Sequence, residues 1–277
     1  MLNVISLGGG VQSSTLALMA TMGLLRPMPD AAVFADTMHE PDAVYEWLTW
    51  LKSMLAFPVY TVRANGSIGL MRHATELRYS RNHKPYAMSA VPAYIKHPTS
   101  GKVGVMQRQC TNAYKIQPIN RRHRNMLKEH GVIVPSDSSL FHGEPQLTQW
   151  LGISSDEVTR MRDNPVPWIH NHYPLVDAGM SRLDCLDWMK RTFATVPPRS
   201  ACTFCPFHSD REWLDLKIND PKGFAEAVEF ERRYQLTYSK IIPGVPFLHG
   251  STMPLTQVEF RSKGSPWEND CTGHCGI

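Results

Sequence analysis

Residues 2–7 (LNVISL) form a short apolar run, the length and character of a buried strand, and Gly8, Gly9 and Gly10 end it. Residues 13–22 (SSTLALMATM) then carry a helical pattern with hydroxyl side chains in the first turn. A second buried strand is expected at 31–35 (AAVFA), ending at Asp36. Pro41 suits the first position of a helix whose apolar stripe is Val44, Leu48, Leu51 and Leu55. Residues 59–62 (VYTV) give a third strand. Strand, loop, helix, strand, helix, strand is the succession of a doubly wound α/β fold with a parallel sheet.

Beyond this the periodicity weakens. Residues 78–110 are rich in Arg, His, Lys, Pro and Ser and are read as a long loop or insertion, a kind of segment that in compact domains is often functional. Helical patterns return at about 117–130, where the residues are basic, and at 155–163, 182–193 and 209–235. From about 243 the chain is irregular and ends with two cysteines. The expected organisation is an α/β unit over 1–200 that carries the 78–110 insertion, followed by a helical and irregular region over 201–277.

Composition narrows the classes. Hydrophobic residues are 42% and charged residues 19%, enough to bury a core and to exclude wholesale disorder. The formal net charge is +4, which suits an anionic ligand but does not by itself argue for nucleic acid. No run of eighteen apolar residues predicts a membrane span, and the N-terminus lacks a signal-peptide pattern. A cytoplasmic protein is expected, with its six cysteines free, catalytic or metal-binding rather than a disulfide frame. The oligomeric state is not legible.

The turn Ser6-Leu7-Gly8-Gly9-Gly10-Val11-Gln12-Ser13-Ser14 sits between a strand and a helix. Glycines let backbone amides approach phosphate oxygens, and the following helix start adds donors and partial positive charge. The alternative reading is a tight strand-to-helix turn with no ligand. The turn is neither a Walker A loop nor a Gly-x-Gly-x-x-Gly fingerprint. Cys202-Thr203-Phe204-Cys205 can place two thiolates on one metal ion or cluster. Asp36 can accept from a ribose hydroxyl or an adenine amine, or it caps the next helix. Arg108, Lys115, Arg121 and Arg122 surround Cys110 in sequence; for Arg122, Arg124 and Lys128 a solvated helix face is the simpler reading. Arg160 can clamp a phosphate or pair with Glu157. Cys185 falls in a helical pattern and reads as core.

The glycine turn resembles the PP-loop of N-type ATP pyrophosphatases, Ser-Gly-Gly-x-Asp-Ser, with Gly8 in place of the Ser and Gln12 in place of the Asp. The Gln-Ser pair is similar to the variant in phosphoadenylyl-sulfate (PAPS) reductases. Four further blocks resemble that family in order: Asp36-Thr37-Met38-His39-Glu40 with Tyr45; Cys110-x4-Lys115-Ile116-Gln117-Pro118-Ile119-Asn120-Arg121; Gly152-Ile153-Ser154-x-x-Glu157-x-x-Arg160; and Tyr173-Pro174-Leu175 with Trp188. Cys202 and Cys205 fall where iron–sulfur members carry their second cysteine pair. Cys275-Gly276-Ile277 resembles the reductase tail whose cysteine attacks sulfur, although His274 precedes it and no histidine follows.

The resemblance implies an adenine nucleotide, ATP or a sulfonucleotide (PAPS or adenylyl sulfate), bound by Ser6, Gly8, Gly9, Gly10, Gln12, Ser13, Ser14, Asp36, Arg108, Arg121, Gly152 and Arg160. It implies Cys275, Cys271 and Lys115 as catalytic. It implies Cys110, Cys202 and Cys205 as ligands of a 4Fe-4S cluster, one ligand short because Gln109 stands where relatives carry a second cysteine. Zinc, held by Cys202, Cys205, Cys271 and Cys275, is the competing account. Three functions follow. The first is sulfonucleotide reduction with a thiol reductant such as thioredoxin. The second is ATP-dependent thiolation of tRNA or DNA, with Mg²⁺ if ATP is used, which the basic 78–124 segment favours. The third is a zinc-held binding module without catalysis.

Overall fold

The N-terminal apolar run forms β1 (Leu2–Leu7), fully buried from Val4 onward. The chain then turns through Gly8–Gly10, with Gly9 at φ +77°, a conformation that glycine adopts without the Cβ penalty. It enters α1 (Val11–Thr21), and β2 (Ala31–Ala35), α2 (Asp42–Met54) and β3 (Val59–Val62) follow where the pattern places them. The computed structural model describes residues 1–64 and 69–261.

The next stretch differs from the expected irregular insertion. After α3 (Leu70–Thr75), β4 (Arg78–Tyr79) and β5 (Pro85–Tyr86) pair as one antiparallel hairpin, and β6 (Tyr94–Lys96) and β7 (Val103–Val105) as another. Strands of two or three residues are too short to show a period of two, so the sequence gives no alternation to read. A π-helical turn, Asn112–Ile116, leads into α4 (Gln117–Glu129).

β8 (Leu147–Leu151) and β9 (Ile169–His172) complete a five-stranded sheet of order β3-β2-β1-β8-β9, parallel at every pairing. This is the expected doubly wound α/β architecture. The segment 155–163, expected as a helix, forms only 3₁₀ turns over Ser155–Arg160, with Glu157 off helical geometry. After α5 (Pro174–Asp177) and α6 (Arg182–Phe193), the single pattern at 209–235 resolves into α7 (Asp210–Asn219) and α8 (Pro221–Tyr238). Pro221 lacks an amide proton and forces the break, and the Asp220 carboxylate caps α8 by accepting from the Gly223 amide at 2.8 Å. β10 (Val245–Phe247) pairs with β6.

Helices cover both faces of the sheet. Leu16, Leu48, Leu51 and Met189, from α1, α2 and α6, pack on one face with Trp150 of β8. Ile119, Met126 and Leu127 of α4 pack on the other against Val4 and Val33. A second core lies to one side and draws on both halves of the chain: Ala64, Leu70, Val91 and Tyr114 meet Phe204, Trp213, Phe230 and Tyr234. Phe204 and Phe230 stack with ring centroids 4.0 Å apart, and fully burying such a ring is worth about 1.5–3 kcal/mol. Cys271 and Cys275 lie outside the described residues. Among those residues no helix is long and apolar enough to cross a membrane.

Candidate active site

The strand order reverses between β1 and β8, and open α/β sheets bind ligands in the crevice at the carboxyl end of such a switch point. The glycine turn follows β1, and Gly152 follows β8. A Cβ on Gly152 would lie 2.7 Å from the Ser13 amide nitrogen, so this glycine lets the β8 loop close onto the start of α1. A Cβ on Gly10 would meet nothing within 4 Å, so the turn is open on that side.

Several residues expected to bind nucleotide already hold protein partners. Ser13 Oγ accepts from the Gly8 amide at 3.1 Å and donates to the Gly10 carbonyl at 3.3 Å, which sets the shape of the turn. Ser14 is buried and its hydroxyl accepts from the Trp47 indole at 3.0 Å. Ser6 is buried in β1. The Gln12 amide donates to the Glu157 carboxylate at 3.1 Å, and Arg160 pairs with the same carboxylate at 2.7 Å, the i,i+3 pairing anticipated for it. These contacts tie the first turn of α1 to the segment after Gly152.

Asp36 ends β2, buried, and is held from three directions. It accepts from the Met38 amide at 2.7 Å, the Tyr45 hydroxyl at 2.9 Å and Arg63 Nε at 2.8 Å. Burial and the Asp36 charge push the Tyr45 hydroxyl above its usual pKa, so it stays a proton donor. Arg63 is a partner that the sequence did not suggest.

The thiols converge from separate stretches. Cys110, Cys202 and Cys205 line one cavity of about 40 Å³ together with Lys115, Arg108 and Thr37. That is room for about three waters. The π-helical turn presents Lys115 five residues after Cys110, and such turns occur at functional sites more often than chance. Lys115 Nζ stands 3.8 Å from Oε1 of Glu40, whose side chain is wholly buried and whose other oxygen accepts from Ser200 at 3.1 Å. Thr37 Oγ1 and Cys202 Sγ are 3.1 Å apart. Burial, with the Glu40 charge adding to it, pushes the Cys202 thiol well above its usual pKa, while Lys115 pulls the other way. Arg108 lies over the Phe207 ring at 5.6 Å. The cavity and the glycine turn are neighbours, because a Cβ on Gly9 would come within 3.6 Å of Ser200 Oγ, two residues before Cys202.

Thr37, Glu40 and Ser200 are therefore parts of the site that the sequence reading gave no role. The signal was there for two of them, since Thr37 and Glu40 sit in the block just after β2. Their neighbour His39 makes a separate dyad: Nδ1 is 2.7 Å from Glu226, which also accepts from Thr203 at 2.7 Å. Burial alone would raise the Glu226 carboxyl, but the hydrogen bonds from His39 and Thr203 outweigh it and hold it below its usual range.

Other candidates stay outside the cavity. Arg121 is exposed on α4. Arg122 pairs with Glu129 at 2.7 Å and lies over the Tyr60 ring, and Arg124 lies over Trp168. Cys185 is core, and its thiol is pushed up to about 12 by burial. The donor chemistry of the cavity, three thiols, suits an iron–sulfur cluster or a thiophilic ion better than a hard cation. Among the described residues no three His, Cys, Asp or Glu side chains form a group that could hold a metal ion.

No protein-family model and no curated protein matches the chain. Among solved structures it is similar to phosphoadenylyl-sulfate (PAPS) reductase from Candida auris in a phosphate complex, at 12% identity, covering 72% of this chain and 74% of that one with a TM-score of 0.40. The fold assignment rests on strand order and connection, independently of that likeness.

Proposed function

We propose that the chain is an enzyme that binds an adenine sulfonucleotide at the Gly8–Gly10 turn and reduces it with thiols. The observation that carries this reading is the shared cavity: thiols 92 residues apart, Cys110 and Cys202, face the same space as Lys115, next to an open glycine turn at the switch point. Amides at the turn and the first turn of α1 take the anionic end of the nucleotide. Lys115 and Arg108 supply positive charge toward the sulfonate oxygens.

In the reaction a cysteine thiolate, assigned to Cys275 by the tail resemblance, attacks the sulfonate sulfur. The sulfur–oxygen bond to the nucleotide breaks, and the nucleotide leaves as its phosphate. A dithiol reductant of the thioredoxin class then attacks the cysteine sulfur of the thiosulfonate, releasing sulfite, and is itself oxidised to a disulfide. Cys110, Cys202 and Cys205 line the cavity as thiols, but among the described residues they do not form a group that could hold a metal ion, so neither an iron–sulfur cluster nor zinc is assigned to them and no step is routed through one.

A second reading, ATP-dependent thiolation of a nucleic acid, is favoured by the basic stretch that borders the cavity through Val91 and Pro92. The discriminating experiment is an anaerobic assay of the full chain with each sulfonucleotide and reduced thioredoxin. Sulfite release is expected. ATP consumption with pyrophosphate release only when RNA or DNA is added, and no sulfite, would replace the first reading with the second. A colourless protein with one tightly bound zinc and neither activity would reject both.

A further inference from the structure

Between Glu76 and Glu129 the chain carries eleven Lys or Arg and no Asp or Glu, which leaves 18 basic against 25 acidic residues in the rest. A mildly basic protein is thus an acidic body with one strongly basic segment. Part of that charge is spent internally: Arg78 pairs with Glu76 at 3.5 Å and Arg122 with Glu129. Arg81, Lys84, Lys96 and Lys102 are different. They are exposed at or near the tips of the two hairpins and have no acidic partner among the described residues. His83 and His97 are exposed beside them.

The β4–β5 hairpin also exposes aromatic rings. Tyr79 is 60% exposed and Tyr86 41%. Cross-strand partners share a face of a hairpin, and Tyr86 stands opposite Arg78 while Tyr79 stands opposite Pro85. The two rings therefore project from opposite faces of β4–β5. A rigid duplex cannot lie on both, whereas a flexible strand with unstacked bases can cross the hairpin and stack on each.

Both hairpins spring from one anchored strap. Tyr234 of α8 donates to the Val91 carbonyl at 3.0 Å and accepts from its amide at 3.1 Å, and Tyr238 donates to Ser89 at 3.2 Å. Residues Ser89 to Ala93 are buried, so the hairpins have a fixed base. The eight-residue step from Tyr86 to Tyr94 spans at most about 29 Å, which keeps the hairpins within reach of one ligand of modest length. Val91 and Pro92 of the strap also wall the thiol cavity.

We infer that the β4–β5 and β6–β7 hairpins are a docking surface for single-stranded nucleic acid. Arg81, Lys84, Lys96 and Lys102 contact its phosphates, and Tyr79 and Tyr86 stack its bases. The surface holds whichever reaction the thiols perform, so the test reads binding alone and its failure leaves the sulfite assay untouched.

The test is fluorescence anisotropy of the full chain with a labelled single strand of about 12 nucleotides, as RNA and as DNA, across a salt series. The wild type should bind, with affinity falling steeply as salt rises. Replacing Arg81, Lys84, Lys96 and Lys102 together by Ala should weaken binding at least tenfold at 0.1 M salt and flatten the log–log salt slope by up to about 3. Tyr79→Ala with Tyr86→Ala should weaken binding about tenfold and leave the slope alone. Thermal unfolding serves as the folding control, and Lys102→Glu is the fallback if the fourfold variant is unstable. Equal binding by wild type and both variant sets overturns the proposal. So does tighter binding to a duplex of the same sequence, or a surface that reads out only as binding to phosphatidylserine vesicles or as self-association through the edge strand β7.

Discussion

The glycine turn and the thiol cavity touch, yet they are built in opposite ways. The turn is set locally: Gly8, Gly10 and Ser13 hold one another within six residues, and distant residues such as Gly152 and Ser200 only pack against it. The cavity is assembled from segments around residues 37, 91, 110 and 202, and its walls belong to the second core. In the turn the polar side chains are already satisfied and the backbone is left to bind. In the cavity the side chains themselves are the chemistry, so their placement depends on packing well away from them. A local motif tolerates changes to the distant core, whereas a gathered one does not.

The largest expected effect tests that dependence. Phe230→Ala removes a fully buried ring stacked on Phe204, one of the two residues between Cys202 and Cys205. A loss of about 3–5 kcal/mol is expected by denaturant unfolding. Loss of thiol-dependent activity with retained nucleotide binding by calorimetry would separate the two regions. Joint loss of both would show one cooperative unit.

Gly152→Ala strikes the turn from outside. The added carbon would stand 2.8 Å from Ser13 Cα, which requires the backbone to shift. A destabilisation of about 1–3 kcal/mol is expected, together with weakened nucleotide binding. An unchanged melting temperature would mean that the β8 loop is free to move away.

A smaller effect concerns His123, buried under the sheet with neither ring nitrogen hydrogen-bonded among the described residues. Burial, and secondarily Arg122, lowers its pKa from 6.5 to about 3. The unfolded chain then binds the proton more readily, so this contribution is complete above pH 6.5 and is lost as pH falls toward 3. The loss near pH 6 should be about 1 kcal/mol, and His123→Leu should flatten stability against pH in that range. A profile with the same slope in both proteins would count against a neutral buried imidazole.

The smallest change in stability is expected for Gly10→Ala. Its φ of −90° suits any residue and its Cβ would meet nothing, so stability should stay within about 0.5 kcal/mol of wild type. Nucleotide affinity should nevertheless fall, because the methyl would occupy the open side of the turn. Undiminished affinity would mean that the ligand does not approach there.

The sheet-forming runs were legible where they were apolar throughout, as in β1 and β2. β8 was not, because its Thr148 and Gln149 are polar yet buried, and nothing local announces that. The break between α7 and α8 was written in Asp220-Pro221 but masked by continuous amphipathic spacing on either side. Of the candidate site, Cys110, Lys115, Cys202 and Cys205 were named from their blocks. The partners that tune them, Thr37 and Glu40, went without a role, since a Thr or a Glu after a strand has many ordinary uses.

By itself the chain's order of apolar runs and glycines determined a parallel α/β sheet with an open turn after its first strand, because strand burial and left-handed backbone are preferences of short segments. Tertiary structure alone decided that Asp36 would be engaged by Arg63 and Tyr45, that a buried Glu40 would stand beside Lys115 at the thiol cavity, and that Arg81, Lys84, Lys96 and Lys102 would be exposed without an acidic partner among the described residues. Those outcomes depend on which surfaces exclude water together, a property of the packed molecule that no short window of residues contains.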